Sequence, residues 1–411
     1  VSDPNRGSKV ALIGNMNNNF FALARYLRDA GIDAELLLID GELPHFHPSK
    51  DTFDLDYQRY TRTLTWGSVE RFRSTPDAVV RQDLEPFGFL IVCGAVPAYL
   101  HRAGRRADVF VPYGDDLGDM PWIAPPHCGP REVSWRARQW RFHLAQRRGI
   151  ADAALVNFNA GNDRARWQVR TLGIEGSTRY LGVPLVYAPP YRCGSDELGE
   201  SRSAWSHEFR SVRSSVDLMV FHHSRHIWTT YVNDYSWKGN DVLVRGIARV
   251  RGTRPTVSIG LVCLEYGPDV GASRELAGSL GISDVLHWFP QMDRKEVLLG
   301  LAMADVASGH FAMGDAGCGA VYEGLALGRP LVHYRDDLHP QGQLDYPFLP
   351  ARTEEDVEVA LRWALDHPTE LHELGRRAVR WYDDRFVASS LDGLIDLIDR
   401  AVSNRGDRGG E

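Results

Sequence analysis

The stretch VALIGNMNNNFFALARYLRDAGIDAELLLI, residues 10–39, decides the fold class. Val10-Ala11-Leu12-Ile13 is a continuous apolar run, the pattern of a strand buried on both faces. Gly14 to Asn19 form a loop of residues that tolerate unusual backbone angles. Asn19 is placed to cap a helix whose apolar face carries Phe20, Leu23, Ala24 and Leu27, and Gly31 ends it. Leu36-Leu37-Leu38-Ile39 then repeats the buried-strand pattern. Together these make a β-α-β unit with a right-handed connection.

The pattern continues outward from this unit. Further strands are expected at 89–92, 109–111 and 154–156, while residues 41–75 read as a loop. Residues 189–215 turn to Pro, Ser, Arg and Glu and read as an interdomain linker with an irregular helix. A second α/β series follows. Its strands are expected at 218–221, 257–263, 285–288, 305–307 and 331–333, its helices at 241–250, 272–280, 294–303 and 320–327. Residues 354–366, 368–381 and 388–402 read as helices, and 403–411 as a disordered tail. The expected architecture is α/β, with two doubly wound Rossmann-like domains, 1–188 and 216–382, facing each other across a cleft. Open parallel sheets bind ligands at the carboxyl ends of their strands.

Composition narrows the class. The chain has 411 residues, a formal charge of −7, 43% hydrophobic and 25% charged residues, as in ordinary globular proteins. No run approaches the roughly 20 apolar residues that span a bilayer. The opening VSDPNRGSKVALIG lacks the apolar core of a signal peptide. The five cysteines are scattered without a C-x-x-C, so a reducing cytoplasm is expected rather than a disulfide framework or a zinc site. A net acidic chain is a poor general binder of nucleic acid. Lysine is scarce: of 47 basic residues only Lys9, Lys50, Lys238 and Lys295 are lysines, a bias that fits a GC-rich genome.

Two constellations carry chemistry. In Asp315-Ala-Gly-Cys-Gly-Ala-Val-Tyr-Glu323 a strand runs into a Gly-rich loop that opens a helix. Gly317 and Gly319 let backbone approach a ligand, and the helix N-terminus suits a phosphate. Glu323, one turn into that helix, is placed to accept hydrogen bonds from hydroxyls held at the loop. The alternative is an ordinary strand-to-helix turn with Glu323 in solvent. In FHHSRHIWTTYVNDYSWKGND, Arg225 follows a strand directly, and Lys238-Gly239 precede a helix with Asn240 or Asp241 as cap. An Arg fork and a Lys point charge at adjacent element ends would embrace a diphosphate. His222, His223 and His226 straddle a strand end with no Cys or carboxylate spaced to complete a metal site, so structural or ligand-contacting roles are expected and no metal. There is no P-loop, and only Gly14 of a G-x-G-x-x-G fingerprint is present.

The D-x7-E loop, the Arg…Lys-Gly pair and the order of segments resemble the retaining GT-B glycosyltransferases of family 4, the glycogen-synthase-like glycosyl transferases of group 1. The resemblance covers most of residues 216–400 and the first domain more loosely. It implies transfer of a sugar from a nucleoside-diphosphate sugar to a hydroxyl, with retention and without an essential metal or other cofactor. Arg225 and Lys238 would neutralise the diphosphate. Asp315, where the family has Glu, would join them as a catalytic residue. Ala316, Gly317, Cys318 and Gly319 would hold donor sugar and phosphate, and Glu323 the ribose. Phe289 to Met292 match the segment that cradles the base, with Pro290 and Met292 as contacts. Gly14 and Asn15 of the first loop would face donor or acceptor.

The chain departs from the family in two further ways. Its insert HIWTTYVNDYSW lengthens the Arg-to-Lys loop, and VPYGDDLGDM stands where a His is common. There Tyr113, Asp115 and Asp116 are expected to meet the acceptor, a glycan, a lipid-linked or a small-molecule hydroxyl. Helix capping is the alternative for the two aspartates. The C-terminal helix, 383–402, would cross back onto the first domain. A GT-B sugar-nucleotide epimerase or hydrolase, and a non-catalytic sugar-nucleotide-binding subunit, are the competing readings. Residues 131–149 combine six arginines with Trp135, Trp140 and Phe142, a composition suited to peripheral contact with an anionic membrane or, alternatively, to a packed helix with its aromatics in the core.

Overall fold

The computed structural model describes residues 9–123, 129–159, 163–192, 201–230, 237–312, 318–335 and 345–406. The chain divides into two units. Unit one is Val1–Ser49, Leu55–Tyr187 and Arg385–Glu411, and unit two is Lys50–Asp54 with Ala188–Asp384.

Unit one contains a six-stranded sheet built from β1 (Val10–Ile13), β2 (Ala34–Leu38), β3 (Thr61–Thr63), β4 (Phe89–Val92), β5 (Val109–Phe110) and β6 (Leu155–Val156). Its order is β3-β2-β1-β4-β5-β6, and every pairing is parallel. β1 lies between β2 and β4, with Ile13 opposite Leu37 on one side and Val92 on the other. Its continuous apolar run has a direct cause. Val10 and Leu12 join one cluster with Phe21 and Leu27 of helix Asn19–Asp29, and Ala11 and Ile13 join another with Tyr99 and Phe142. Both faces of the sheet are covered. Leu394 and Ile398 of helix Ser389–Gly406 pack into the first cluster beside Leu181.

Unit two repeats the plan with β7 (Leu218–His222), β8 (Ile259–Glu265), β9 (Leu286–Pro290), β10 (Val306–Ser308), β11 (Leu331–His333) and β12 (Leu349–Pro350). The order is β12-β11-β10-β7-β8-β9, again all parallel. In each sheet the first strand is flanked by the second and the fourth. That reversal is the topological switch point, the crevice where open α/β sheets take ligands.

Several elements differ from expectation. Residues 41–75 contain β3, an edge strand of Thr-Arg-Thr with no apolar run to announce it. Residues 189–215 include helices Pro189–Arg192 and Ser206–Ser215, and Phe209 of the second stacks against Phe221 and Phe289 within unit two. Two buried positions, Phe209 and Val212, gave too little periodicity to signal that packing. Lys50–Asp54 belong to unit two although they come early in the sequence. Arg202 donates to the Phe53 carbonyl at 2.8 Å, and the Lys295 ammonium lies 5.2 Å from the Phe53 ring. The expected helix 131–149 is two helices, Pro130–Arg138 and Trp140–Ala151, broken at Gln139. The C-terminal helix runs to Gly406, into the expected tail, of which 407–411 lie outside the described residues.

Candidate functional site

The switch point of unit two lies between the ends of β7 and β10, and a hydrogen-bonded core holds them. His222 Nδ1 bonds Ser308 Oγ at 2.5 Å, joining the two strand ends. Asn240 Nδ2 donates to His222 Nε2 at 2.7 Å, so His222 is neutral with its proton on Nδ1. Burial, then the neighbouring His226, His223 and His310, push His222 well below the ordinary histidine range. Asn240 also accepts from Ile227 N at 3.0 Å. It is therefore a brace for the loop after β7. The cap of helix Asn240–Thr253 is Gly239 instead, in the left-handed region at φ 65°. A Cβ there would stand 3.0 Å from Phe311 Cβ.

This arrangement fixes Lys238. Its N–H donates to Ile227 O at 2.8 Å and its carbonyl accepts from Phe311 N at 3.0 Å, so its backbone bridges the β7 and β10 loops. Arg225, exposed, lies with its guanidinium carbon 5.9 Å from the Tyr266 ring centre. His310, two residues beyond β10, reports on both. Burial, then Lys238, His333, His223 and Arg225 beside it, push its pKa down to about 3 and keep it neutral. His310 was not singled out by the sequence reading.

The loop carrying them is tied from the other side by Asp269. Its carboxylate accepts from the N–H groups of Trp228, Thr229 and Thr230 at 2.6, 2.7 and 2.9 Å, and from both threonine hydroxyls at 2.8 and 2.6 Å. Burial opposes the charge, but these bonds hold the carboxyl far below the usual range. The start of the insert is therefore built structure; 231–236 lie outside the described residues.

Glu323 belongs to helix Gly319–Ala326, with Cys318 as its cap. Gly324 sits where a Cβ would come within 2.8 Å of Leu331 Cδ2, so this helix rests directly on the sheet. At Gly319 an added Cβ would meet nothing within 4 Å, so packing does not demand a glycine there. Glu323 itself is buried. Arg294 Nε donates to Oε1 at 2.7 Å, and His223 Nε2 to Oε2 at 2.8 Å. Arg294 Nη1 also donates to Asp51 Oδ1 at 2.9 Å. Burial alone would raise the Glu323 carboxyl; the Arg294 charge and the His223 bond instead hold it at about 2. Asp315, Ala316 and Gly317 lie outside the described residues. Pro290 ends β9 and Met292 follows it half-buried, two strands from β7 at the same carboxyl edge.

In unit one, the residues expected at the corresponding switch point are largely committed to structure. Asn15 is fully buried: its amide donates to Asn18 Oδ1 at 2.9 Å and Phe46 O at 2.5 Å, and its oxygen accepts from Phe21 N at 2.9 Å. An external ligand finds none of that amide exposed. Gly14 has φ 92°, and a Cβ would lie 2.6 Å from Cys93 Sγ, so close packing explains this glycine. Asp116 is also buried and takes the N–H of Gly94 at 2.8 Å and of Tyr113 at 3.1 Å. It joins the ends of β4 and β5. Both N–H groups lie outside the helix Asp115–Gly118, so these bonds tie loops together and do not cap that helix. Tyr113 is half-buried and its hydroxyl accepts from Asn17 Nδ2, while Asp115 opens the short helix Asp115–Gly118.

The His, Cys, Asp and Glu side chains among the described residues form no group of three arranged to hold a metal. His222, His223 and His226 each enter a separate hydrogen bond, to Ser308, Glu323 and Ser273. No helix among the described residues is long and apolar enough to cross a membrane. His310, Arg294, Asp51 and Asp269 were missed. Asp51 and Asp269 act through folds of the chain that no local spacing encodes.

The chain matches no protein-family model. It is 33% identical over 172 residues to an MMP alpha-(1->4)-mannosyltransferase from Mycolicibacterium hassiacum. The matched stretch is 40% of this chain and 41% of that protein, so the likeness spans well under half of either. Among solved structures, Alr3699/HepE of Anabaena in complex with UDP is similar with a TM-score of 0.58 and 14% identity, over 95% of this chain and all of that one. A glycosyltransferase from Rickettsia africae gives 0.52 at 13% identity, over 97% and 99%. Sucrose-phosphate synthase of Thermosynechococcus elongatus gives 0.52 at 12%, over 97% and 100%. Two six-stranded parallel sheets of the same strand order, with these likenesses, make the fold GT-B.

Proposed function

We propose that the protein is a glycosyltransferase that moves a sugar from a nucleoside-diphosphate sugar to an acceptor hydroxyl with retention of anomeric configuration. The observation that carries this is that Lys238, whose backbone is pinned between the β7 and β10 loops, and Arg225, three residues past β7, both stand at the switch point of unit two. Two cations there match the charge that grows on a departing diphosphate, and the N-terminus of helix Gly319–Ala326 adds backbone donors. The mannosyltransferase relative and the UDP bound by Alr3699/HepE support the same donor class.

In this reading the bond from the anomeric carbon to the diphosphate oxygen breaks as the bond to the acceptor oxygen forms, through an oxocarbenium-like state. The acceptor's proton leaves with the nucleotide. Arg225 and Lys238 offset the leaving charge without a divalent metal. Glu323 acts in part through His223. A carboxylate can only accept, so a proton of His223 sits on Nε2 and Nδ1 is the ring nitrogen left over. That Nδ1 is buried without a hydrogen-bond partner among the described residues, a position a donor hydroxyl would satisfy. Asp315, Ala316, Gly317, Cys318 and Gly319 would meet the donor sugar and phosphates, and Pro290 and Met292 the base.

The test is release of nucleoside diphosphate from a panel of nucleotide sugars in EDTA, with and without hydroxyl acceptors, and proton NMR of the product's anomeric centre. The expected result is acceptor-dependent release in EDTA with the donor's configuration kept. Acceptor-independent release would favour an epimerase or hydrolase. Binding without turnover would favour a non-catalytic subunit.

A further inference from the structure

The helices Pro130–Arg138, Trp140–Ala151 and Asp163–Leu172 of unit one carry nine arginines, three in each, against Glu132 and Asp163. In a chain of net charge −7 this is a sharp local reversal. The structure also separates the two explanations of the aromatic residues here. Helix Trp140–Ala151 is locked on one face. Gln146 accepts from Ala98 N at 3.0 Å and donates to Gly94 O at 2.8 Å, and Phe142 is in the core. Gly149 lies where a Cβ would stand 2.0 Å from Pro97 O. That anchoring turns Trp140, Arg141, Leu144, Arg147 and Arg148 outward as one stripe.

The neighbouring helix Pro130–Arg138 buries no residue at all and leaves Trp135 38% exposed. On the third helix Trp167 is 51% exposed. Among the described residues, every exposed tryptophan, Trp135, Trp140 and Trp167, lies on these three helices. Trp122 ties them into one surface. Its carbonyl accepts from Arg136 at 3.3 Å, the Arg147 guanidinium lies 4.9 Å over its ring, and the Trp167 ring is 5.3 Å away.

We infer that this surface docks on an anionic lipid bilayer. Arginine alone would suit any polyanion. Tryptophan and leucine standing between the arginines suit the boundary between headgroups and acyl chains, where an aromatic ring is half in apolar surroundings. Glu132 engages Arg136 and Asp119 engages Arg164, while Arg131, Arg138, Arg141, Arg148 and Arg170 are exposed.

The test is co-sedimentation of the full chain with phosphatidylglycerol vesicles and with phosphatidylcholine vesicles, at low and high salt, with a double-stranded DNA arm. The expected result is binding to phosphatidylglycerol alone, weakened by salt, with a blue shift of tryptophan emission. Arg141→Glu with Arg148→Glu should weaken it by about thirtyfold or more. Trp135→Ser with Trp140→Ser and Trp167→Ser should abolish the blue shift at unchanged Tm, because these side chains are exposed. Equal binding to both vesicles, no binding to either, or binding to DNA but not to vesicles would overturn the inference.

Discussion

Arg294→Met is expected to destabilise unit two by about 3–5 kcal/mol, because it leaves two buried carboxylates without their cation. Asp51 and Glu323 have side chains only 2% and 11% exposed, and Arg294 bridges them at 2.9 and 2.7 Å. Removing one member of a buried ion group costs far more than removing an exposed pair, since the remaining charges stay desolvated. In thermal unfolding this corresponds to a fall in Tm of about 10 °C for a unit of this size. Arg251→Met, which breaks the exposed pair with Asp284, should change little. Glu323 adds a pH signature. Its carboxyl is held at about 2, against an ordinary 4.5. The unfolded chain therefore binds the extra proton between those values, and the contribution is complete above pH ~4.5 and lost as pH falls towards 2. Arg294→Met should flatten that acid limb. A wild-type-like Tm and acid limb in the variant would mean that the buried network carries no stability.

Lys238→Ala is expected to lower turnover by about a hundredfold or more with little change in Tm. The backbone of Lys238 is held by Ile227 and Phe311 whatever its side chain, so the loop should survive the truncation. What is lost is a preorganised charge beside His310 at the end of β10. Lys238→Arg keeps the charge with a longer planar head and should recover only part of the rate. Loss in kcat as well as in kcat/KM would locate the effect in the transition state. A loss below about tenfold would remove Lys238 from the mechanism.

The parallel sheets were legible because strands covered on both faces read as unbroken apolar runs, and β1, β4, β7 and β11 all do. β3 and β12 were not, since an edge strand of Thr-Arg-Thr or Leu-Pro has no such run. The placement of Arg225 after β7 and of Lys238 before the next helix was legible because a charged residue just past a strand end is conspicuous, and Lys238 more so in a lysine-poor chain. His310 also stands just past a strand and was not singled out. The helix that carries Glu323 followed from the Gly-rich turn, but the burial of its side chain did not: Arg294 reaches it from 29 residues away in sequence and is itself bonded to the distant Asp51. Asn15 and Asp116 misled in the opposite direction. Polar residues at a strand end read as ligand contacts, yet in this fold they satisfy the backbone of tightly wound loops.

The claim that unit two binds a nucleoside diphosphate at its switch point is tested most directly by thermal unfolding of the wild-type chain with UDP, GDP, ADP and dTDP, each in EDTA. At 100 times Kd a ligand adds about 2.7 kcal/mol, enough for a clear shift. The account predicts that at least one of the four raises Tm in EDTA and that Lys238→Ala loses the shift. A cooperative transition that none of the four moves would contradict it.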